Sequence, residues 1–325
     1  MKTKVEQIIA DIENKVQANT LRFGDSLPSL SRVQVDYEVS RDTAVRAYRN
    51  SKSRGIIESR RGRGYRVANN VSDRQLNVFI LLDELSEYKN TLVKSFAKAL
   101  HNKATYKLFF HHFNQDVFAQ LLSTQLGNFT HYVISPIPDA PELNAVLGKV
   151  PEHQLIFIDR CDTQELTPPF LGQLYRQDIK NSLNQLSDSL TQYSCFEFVF
   201  GQSKYHPNEL KTGFRDFCQQ HNIAHHIIVN PADIKLRKGS AYLVIDDELL
   251  AYIVKEARHK ALHIGSDIGI VSYNETCLKS VIADGITTIS TDFAKMGETL
   301  ALMLQSPTFP ERVHNPMLVL KRNSL

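Results

Sequence analysis

Arginine side chains are concentrated in one short stretch near the start of the chain. Arg41, Arg46 and Arg49 are spaced to lie along a single predicted helix. A second group follows in the run Arg60-Arg61-Gly62-Arg63-Gly64, where the glycines leave a backbone with little side-chain bulk. A guanidinium group can pair with a guanine edge or with phosphate, so this stretch is chemically suited to a nucleic acid. A run of charge can also be only a solvated face, and the surrounding elements decide between the two interpretations.

The charge of the chain is unevenly distributed. Residues 1–70 contain 14 Lys and Arg against 8 Asp and Glu, whereas residues 71–325 contain 24 against 27. A basic segment ahead of a mildly acidic one predicts a head that binds a polyanion, joined to a body with another task.

The elements of the head must position these arginines. The hydrophobic periodicity and the turn residues predict three helices and a two-stranded hairpin, over about 5–16, 29–37, 41–54, 56–60 and 65–67. Ser40 stands where it could cap the third helix, and the second basic group falls at the hairpin tip. This order is typical of a winged helix-turn-helix, which places its third helix and its wing against double-stranded DNA. We therefore predict a DNA-binding domain over 1–68 and a linker over 69–75.

The body, residues 76–325, shows a different pattern, in which continuous apolar runs alternate with helical segments. The predicted strands are 76–82, 106–110, 131–134, 155–158, 196–200, 224–229, 241–245, 268–271 and 286–289. Apolar strands that alternate with helices indicate buried parallel sheets. Nine strands exceed what one such sheet usually holds, so the body is predicted to be α/β, with two doubly wound lobes and a cleft between them.

Polar side chains follow most of these strands. Ligands of open parallel sheets bind beyond the carboxyl ends of the strands, and carboxylates, amides and aromatic rings there suit a polyhydroxylated ligand. Asp159, Asp246 and Asn274 are the strongest candidates, although loops are polar in any case. The other candidates in this ring of residues are Asp83, Tyr88, Ser135 and Arg160.

Composition excludes several classes of protein. With 325 residues, 42% hydrophobic and 22% charged, the chain is not disordered, collagen-like or built on a disulfide scaffold. It has no apolar run near the length of about 20 residues that spans a bilayer, and its first residues lack the apolar core of a signal peptide. Four cysteines without a regular framework predict a reduced, cytoplasmic setting. Nucleotide and hydrolase motifs are missing, and Cys218, His221 and His225 lack a fourth zinc ligand, so no enzyme activity, cofactor or metal is predicted.

The head resembles the GntR-type winged helix-turn-helix regulators. The resemblance rests on ordered markers between Val5 and Val67, namely Leu27-Pro28-Ser29, Val39-Ser40-Arg41-Asp42-Thr43-Ala44-Val45, Gly55-Ile56-Ile57-Glu58 and Arg61-Gly62-Arg63-Gly64-Tyr65-Arg66-Val67. It implies that Ser40, Arg41 and Thr43 lie at the DNA face and that Gly62 and Gly64 form the wing tip. Arg32 and Arg46 each stand one position after an arginine of the family. The implied DNA-binding set is Arg32, Ser40, Arg41, Thr43, Arg46, Arg61, Gly62, Arg63 and Gly64.

The body resembles the effector domain of the LacI/GalR regulators, which are related to periplasmic binding proteins. The markers include Ile156-Phe157-Ile158-Asp159-Arg160, Val244-Ile245-Asp246-Asp247-Glu248 and Ser272-Tyr273-Asn274. The resemblance implies effector-binding roles for Asp159, Asp246 and Asn274, and Lys211 stands beside the place of a family arginine. The two-domain arrangement is similar to that of AraR-type sugar-responsive repressors. It implies a monosaccharide effector such as arabinose or fucose.

Together these features predict a ligand-responsive transcriptional regulator. We expect a homodimeric repressor that binds palindromic double-stranded operator DNA and a small effector between its lobes, with no membrane partner. Three alternatives remain at the level of sequence. They are an enzyme carried on a DNA-binding head, a constitutive DNA-binding dimer whose body does not sense a ligand, and a regulator that senses a metabolite other than a sugar.

Overall fold

The computed structural model describes residues 3–18, 20–53, 55–60, 64–68, 76–101, 104–160, 168–202, 206–306 and 310–325. The predicted linker, 69–75, lies outside these residues. The chain divides into two compact units. The first unit consists of Met1–Leu85, Ala97–Phe170 and Ala301–Glu311, and the second of Ser86–Phe96, Leu171–Leu300 and Arg312–Leu325.

The head has the predicted order of elements. Its helices and strands are α1 (Lys4–Gln17), α2 (Leu30–Tyr37), α3 (Arg41–Ser53), β1 (Ile57–Arg60) and β2 (Gly64–Val67). Helix α1 begins with a capping box, in which the side chains of Thr3 and Glu6 each accept a hydrogen bond from the other residue's backbone N–H. β1 and β2 pair antiparallel as the wing.

A small apolar core holds the head together. The buried stripe of α1 packs with Val33 of α2 and with Tyr48 of α3. The Tyr48 hydroxyl donates to the carbonyl oxygen of Pro28 at 2.8 Å, and its ring meets the edge of Tyr65 with centroids 4.8 Å apart. One tyrosine therefore ties α3 both to the turn before α2 and to the wing.

The body contains strands β3 to β14 and helices α4 to α11 in the described residues. The strands are β3 (Leu76–Leu82), β4 (Ala104–Phe110), β5 (His131–Ile134), β6 (Leu155–Asp159), β7 (Phe170–Gly172), β8 (Cys195–Val199), β9 (Ala224–Ile228), β10 (Ser240–Val244), β11 (Ile268–Tyr273), β12 (Thr287–Thr291), β13 (Arg312–His314) and β14 (Met317–Leu320). The helices are α4 (Glu87–Ala99), α5 (Gln115–Gln125), α6 (Asn144–Leu147), α7 (Tyr175–Asn184), α8 (Ser187–Leu190), α9 (Glu209–Gln220), α10 (Asp247–His259) and α11 (Phe293–Gln305).

These strands form two six-stranded sheets. The first sheet has the order β13-β7-β6-β5-β3-β4, and the second has the order β14-β12-β11-β10-β8-β9. Strands β3, β4, β5 and β6 pair parallel in the first sheet, as do β8, β9, β10, β11 and β12 in the second, whereas β14 runs antiparallel to β12. The central strands are buried on both faces, as helix-covered parallel sheets require.

The predicted fold class, a winged helix-turn-helix followed by doubly wound parallel sheets, is confirmed, and each of the nine predicted strands is present within two residues of its predicted ends. Strands β7, β13 and β14 were not predicted, because three or four residues are too few to show a period. Helix α7 was also not predicted, since its sequence is rich in amides and has few apolar residues. Within the described ranges, no helix has the length and apolar character needed to cross a membrane.

Helices α7 and α9 pack unusually closely. A methyl group at Gly213 of α9 would overlap the backbone carbonyl of Arg176 and the side chain of Ile179, both on α7. Gly213 thus serves helix packing, and Phe214 beside it belongs to the core of the second unit.

Candidate nucleic-acid interface and ligand site

The start of α3 is fixed by Ser40. Its Oγ accepts the backbone N–H of Thr43 at 3.2 Å and lies 2.9 Å from the Thr43 hydroxyl, and its carbonyl oxygen accepts the N–H of Ala44. Ser29 caps α2 in the same way, through the N–H of Arg32. The Ser40 hydroxyl therefore has a structural role at the helix end, and the DNA-face role that the resemblance implies stays a prediction.

The predicted DNA-binding arginines of the described helices point to solvent. Arg41 is exposed. Arg46 pairs with Asp42 at 3.2 Å and Arg32 pairs with Asp36 at 2.9 Å, and the two arginine side chains are 59% and 69% exposed. Such exposed pairs are weak and exchange readily for a phosphate. Arg41 and Arg46 share one helix, whereas Arg32 lies on α2.

The two strands of the wing lie on either side of the second basic group in the sequence. The register of β1 and β2 ends with Arg60 opposite Gly64. Gly64 has a φ of +72°, a left-handed conformation that favours glycine. Arg61, Gly62 and Arg63 lie outside the described residues, so their predicted contacts remain predictions.

The carboxyl edge of the first sheet is organised by His111, which follows β4. Its Nδ1 accepts the N–H of Phe113 at 3.1 Å, and its Nε2 lies 3.0 Å from the carbonyl oxygen of Ser135. This arrangement assigns the proton to Nε2, in the neutral form of the ring. Asp83 accepts the N–H of Glu84 at 2.8 Å, and its carbonyl accepts the N–H of His112. Sequence spacing did not identify His111 as the link between two loops.

The other predicted residues of this edge are also buried. Asp159, at the end of β6, has a φ of +73°, and Arg160 follows it. The Ser135 hydroxyl oxygen is buried and has no hydrogen-bond partner among the described residues. The first sheet therefore brings Asp83, Ser135, Asp159 and Arg160 to its carboxyl edge, as predicted from the topology.

The carboxyl edge of the second sheet carries buried oxygen atoms that lack partners. They are Ser272 Oγ, Asn274 Oδ1 and Thr291 Oγ1, which form no hydrogen bond within the described residues. Ser272 lies near the end of β11, and Asn274 directly follows that strand. Asn274 has a φ of +59°, and its N–H donates to the carbonyl of Ile289 at 2.8 Å. Ser272 and Thr291 were not predicted, because a hydroxyl inside a strand looks like ordinary β-sheet composition.

Three predicted ligand residues of the second unit have structural contacts. Asp246 caps α10, accepting the N–H of Leu249 at 2.8 Å. The Lys211 ammonium lies over the ring of Phe200, 4.5 Å from its centroid. Tyr88 packs against Phe293, with ring centroids 4.9 Å apart. These contacts do not bring Lys211 or Tyr88 to Asn274, and their ligand roles remain predictions.

A buried lysine holds the loops of this edge together. Lys279 Nζ donates to the carbonyl oxygens of Tyr273 and Asn274, at 2.9 and 2.7 Å, and forms an ion pair with Asp247 at 2.8 Å. Burial lowers the pKa of the Lys279 ammonium from its usual value, and the Asp247 carboxylate opposes that shift. Because Asp247 opens α10 and Asn274 follows β11, one ammonium group fixes two predicted ligand loops. Sequence spacing gave no sign of this, since two of its three acceptors are backbone carbonyls.

The segment after Asn274 is anchored separately. The Arg322 guanidinium forms two hydrogen bonds with the Glu275 carboxylate, at 2.8 and 3.0 Å, and the Thr288 hydroxyl also donates to Glu275. Paired Arg–carboxylate bonds restrict geometry more than a single contact does. Asn274 therefore stands on a backbone that is held on both sides.

Two protein families match parts of the chain. Residues 4–67 match the bacterial regulatory proteins of the gntR family, and residues 194–324 match the periplasmic binding protein-like domain. No curated protein matches the chain in sequence.

Solved structures of regulators share its fold. A dimeric Lac repressor with an 11-residue C-terminal deletion is 16% identical, with a TM-score of 0.64, over 77% of this chain and 98% of that one. The trehalose repressor from Escherichia coli is 16% identical, with a TM-score of 0.62, over 75% of this chain and 99% of that one. A LacI family regulator from Weissella paramesenteroides with bound sucrose is 13% identical, with a TM-score of 0.62, over 77% and 98%. The chain accordingly joins a domain that matches the gntR family of bacterial regulatory proteins to one that matches the periplasmic binding protein-like domain, and it shares its fold with solved structures of LacI-type regulators.

Proposed function

We propose that this regulator is a homodimeric repressor whose operator affinity changes when a small sugar binds to its body. Effector binding is assigned to the polar groups at the carboxyl edges of the sheets, with Asn274 as the principal contact. The sugar-bound regulator from Weissella paramesenteroides and the trehalose repressor have the same fold, which supports a carbohydrate ligand.

The observation that carries this proposal is the set of buried oxygen atoms without partners on the second sheet. A buried polar atom that makes no hydrogen bond costs roughly 1–3 kcal/mol. Ser272, Asn274 and Thr291 place three such atoms at the end of the sheet where ligands of this fold class bind. A polyhydroxylated ligand supplies both donors and acceptors and could satisfy all three.

The dimer is supported by an exposed apolar patch. Leu278 and Val281, in the segment between β11 and β12, are 62% and 71% exposed. Large apolar side chains at this exposure favour association with another protein surface. We assign the patch to a second copy of the chain, since the Lac repressor structure of the same fold is described as dimeric. Leu278→Glu should shift the protein toward the monomer in sedimentation velocity.

A thermal-shift screen tests the effector assignment. The panel contains monosaccharides, including arabinose and fucose, their phosphates, trehalose and sucrose. A ligand at about 100 times its Kd stabilises the folded protein by roughly 2.7 kcal/mol, which gives a readily measured rise in Tm. Asn274→Ala should abolish the shift, whereas Asn181→Ala, at an exposed position of α7, should leave it unchanged.

The outcome separates the remaining alternatives. A shift with a sugar that also changes DNA affinity in fluorescence anisotropy supports the proposal. A rise in Tm only with a non-sugar metabolite would identify the effector as a compound of another class. No shift with any compound, together with tight DNA binding, would identify a constitutive DNA-binding protein.

A further inference from the structure

A cavity of about 740 Å³ lies between the head and the body within the first unit. On the side of the head, it is lined by residues of α1 and by Thr43, Arg46 and Arg49 of α3. On the side of the body, it is lined by the segment that follows α5 and by Gly148 and Lys149 after α6. The cavity is therefore bounded by α1 and α3 on one side and by connecting loops of the first sheet on the other.

The two walls meet in direct contact. A methyl group at Gly127 would overlap the side-chain amide of Asn50. Asn50 of α3 therefore packs directly against the backbone of Gly127. Gly127 also has a φ of +75°, which favours glycine there independently. This contact sets the cations of the head and of the body around a shared space.

The charge around this space is strongly positive. Lys4, Arg46, Arg49 and Lys149 line it, and the one carboxylate among its lining residues is Glu6. Glu6 already accepts the N–H of Thr3 at 2.7 Å. Arg49 and Lys149 form no ion pair within the part of the chain that the structure describes. Four cations around one carboxylate leave an excess of positive charge, and such a cleft concentrates a negative ligand.

We propose that this cavity receives the phosphate backbone of bound DNA, and that the body itself contributes Lys149 to DNA binding. The inference rests on the proposed role of the head in binding DNA. The cavity wall is continuous with the predicted DNA-binding face of α3, because Thr43 and Arg46 belong to both. This favours DNA over a free phosphate compound as the occupant. Lys149 extends that face with a sequence-independent contact.

The test is the salt dependence of DNA affinity. Each phosphate contact contributes about 0.9 to the slope of log K against log salt, and it does so on any sequence, so a 30-base-pair duplex of random sequence is a sufficient probe. Lys149→Ala in the full chain should lower the slope by about 0.9 per chain bound. Its loss of affinity relative to the wild type should shrink by about 3.5-fold between 50 and 200 mM salt.

Control variants distinguish this contact from general loss of charge. Lys98→Ala removes an exposed lysine near the end of α4 that does not line the cavity, and it should leave the slope unchanged. Lys149→Arg keeps the cation and should restore the slope. An unchanged slope in Lys149→Ala would overturn the inference while leaving the head as the DNA-binding element. A wild-type protein that binds no duplex would instead contradict the proposed function.

A further arm examines a free phosphate compound as the occupant. Melting is measured in inorganic phosphate against chloride at matched ionic strength. A rise in Tm that Lys149→Ala removes, with an unchanged DNA slope, would assign the cavity to a small phosphate and overturn the DNA assignment. Equal Tm values in the two salts, together with a reduced DNA slope in Lys149→Ala, would support the DNA assignment.

Discussion

The head and the carboxyl edge of the second sheet hold their charged side chains in opposite environments. In the head, Arg32 and Arg46 each meet one carboxylate and remain mostly in water. At the sheet edge, the Lys279 side chain is 2% exposed and has three acceptors. The cations of the head are thus accessible to a binding partner, whereas Lys279 at the sheet edge is occupied by contacts within the protein.

This difference separates binding from stability. Exposed ion pairs contribute about 0–1 kcal/mol, because water and salt screen them and the side chains lose freedom. Removing one partner from a buried pair costs more, since the groups that remain lose both water and their partner. Changes in the head should therefore alter DNA affinity at little cost to folding, whereas changes at Lys279 should alter folding first and ligand binding through it.

The largest effect is expected for Lys279→Met, which keeps the length of the side chain and removes its charge. The carbonyls of Tyr273 and Asn274 lose their donor, and the variant should be destabilised by about 2 kcal/mol. This loss is smaller than that for a fully buried ion pair, because the third acceptor, Asp247, is 61% exposed and stays in contact with water. Denaturant unfolding measures the change, with the exposed Lys255→Met on α10 as the control. Equal losses in the two variants would contradict a special role for Lys279.

The pH dependence sharpens the same assignment. Burial lowers the pKa of Lys279 in the folded protein below its usual 10.5, so between the two values the unfolded chain binds more protons. Stability from this group must then rise with pH across that alkaline window, because the cost of holding a buried charge is relieved. The wild type should gain stability relative to Lys279→Met as pH increases toward 10.5, as followed by denaturant unfolding at each pH. If the difference in unfolding free energy between the wild type and Lys279→Met became smaller with rising pH, the buried-charge explanation would be wrong.

Much of the head could be predicted because its signals are local. Helix periodicity, the Ser40 cap and the turn around Pro28 all lie within a few residues of the structure they specify. The strands of the body were predicted for the same reason, since each is a continuous apolar run. Short strands such as β7 and β13 were missed, because three residues are too few to show a period.

The candidate ligand site was predicted in outline only. Topology placed Asp159 and Asn274 at sheet edges, but it gave no indication that Asp246 caps α10 or that Lys279 joins two loops. The role of His111 in joining two loops was also not predicted. Lys279 and His111 both act on backbone carbonyls, and a carbonyl acceptor is not marked by any residue type in a sequence.

A smaller effect is expected for Ser40→Ala in the head. Loss of the side-chain bond to the Thr43 N–H should cost about 1 kcal/mol of stability, measured by denaturant unfolding. Ser40→Asp keeps a capping oxygen and should restore stability, but its negative charge should weaken DNA binding if Ser40 lies at the DNA face. Ser26→Ala, at another exposed position of the head, is the matched control. Normal DNA affinity in Ser40→Asp would limit Ser40 to its role as a cap.

The smallest change in stability is expected for Arg46→Gln. Its single exposed pair with Asp42 should be worth at most about 0.5 kcal/mol, yet the loss of a phosphate contact should lower DNA affinity and reduce the salt slope by about 0.9 per chain. Asp42→Asn removes the same pair from the other side and leaves Arg46 unpaired, so it should bind DNA more tightly than the wild type. Opposite effects of the two variants on anisotropy-measured affinity, with equal effects on unfolding, would show that the pair restrains a DNA-binding cation. If both variants lose affinity, the ion pair instead orders the start of α3. Arg46 would then have a structural role, as Lys279 has at the sheet edge.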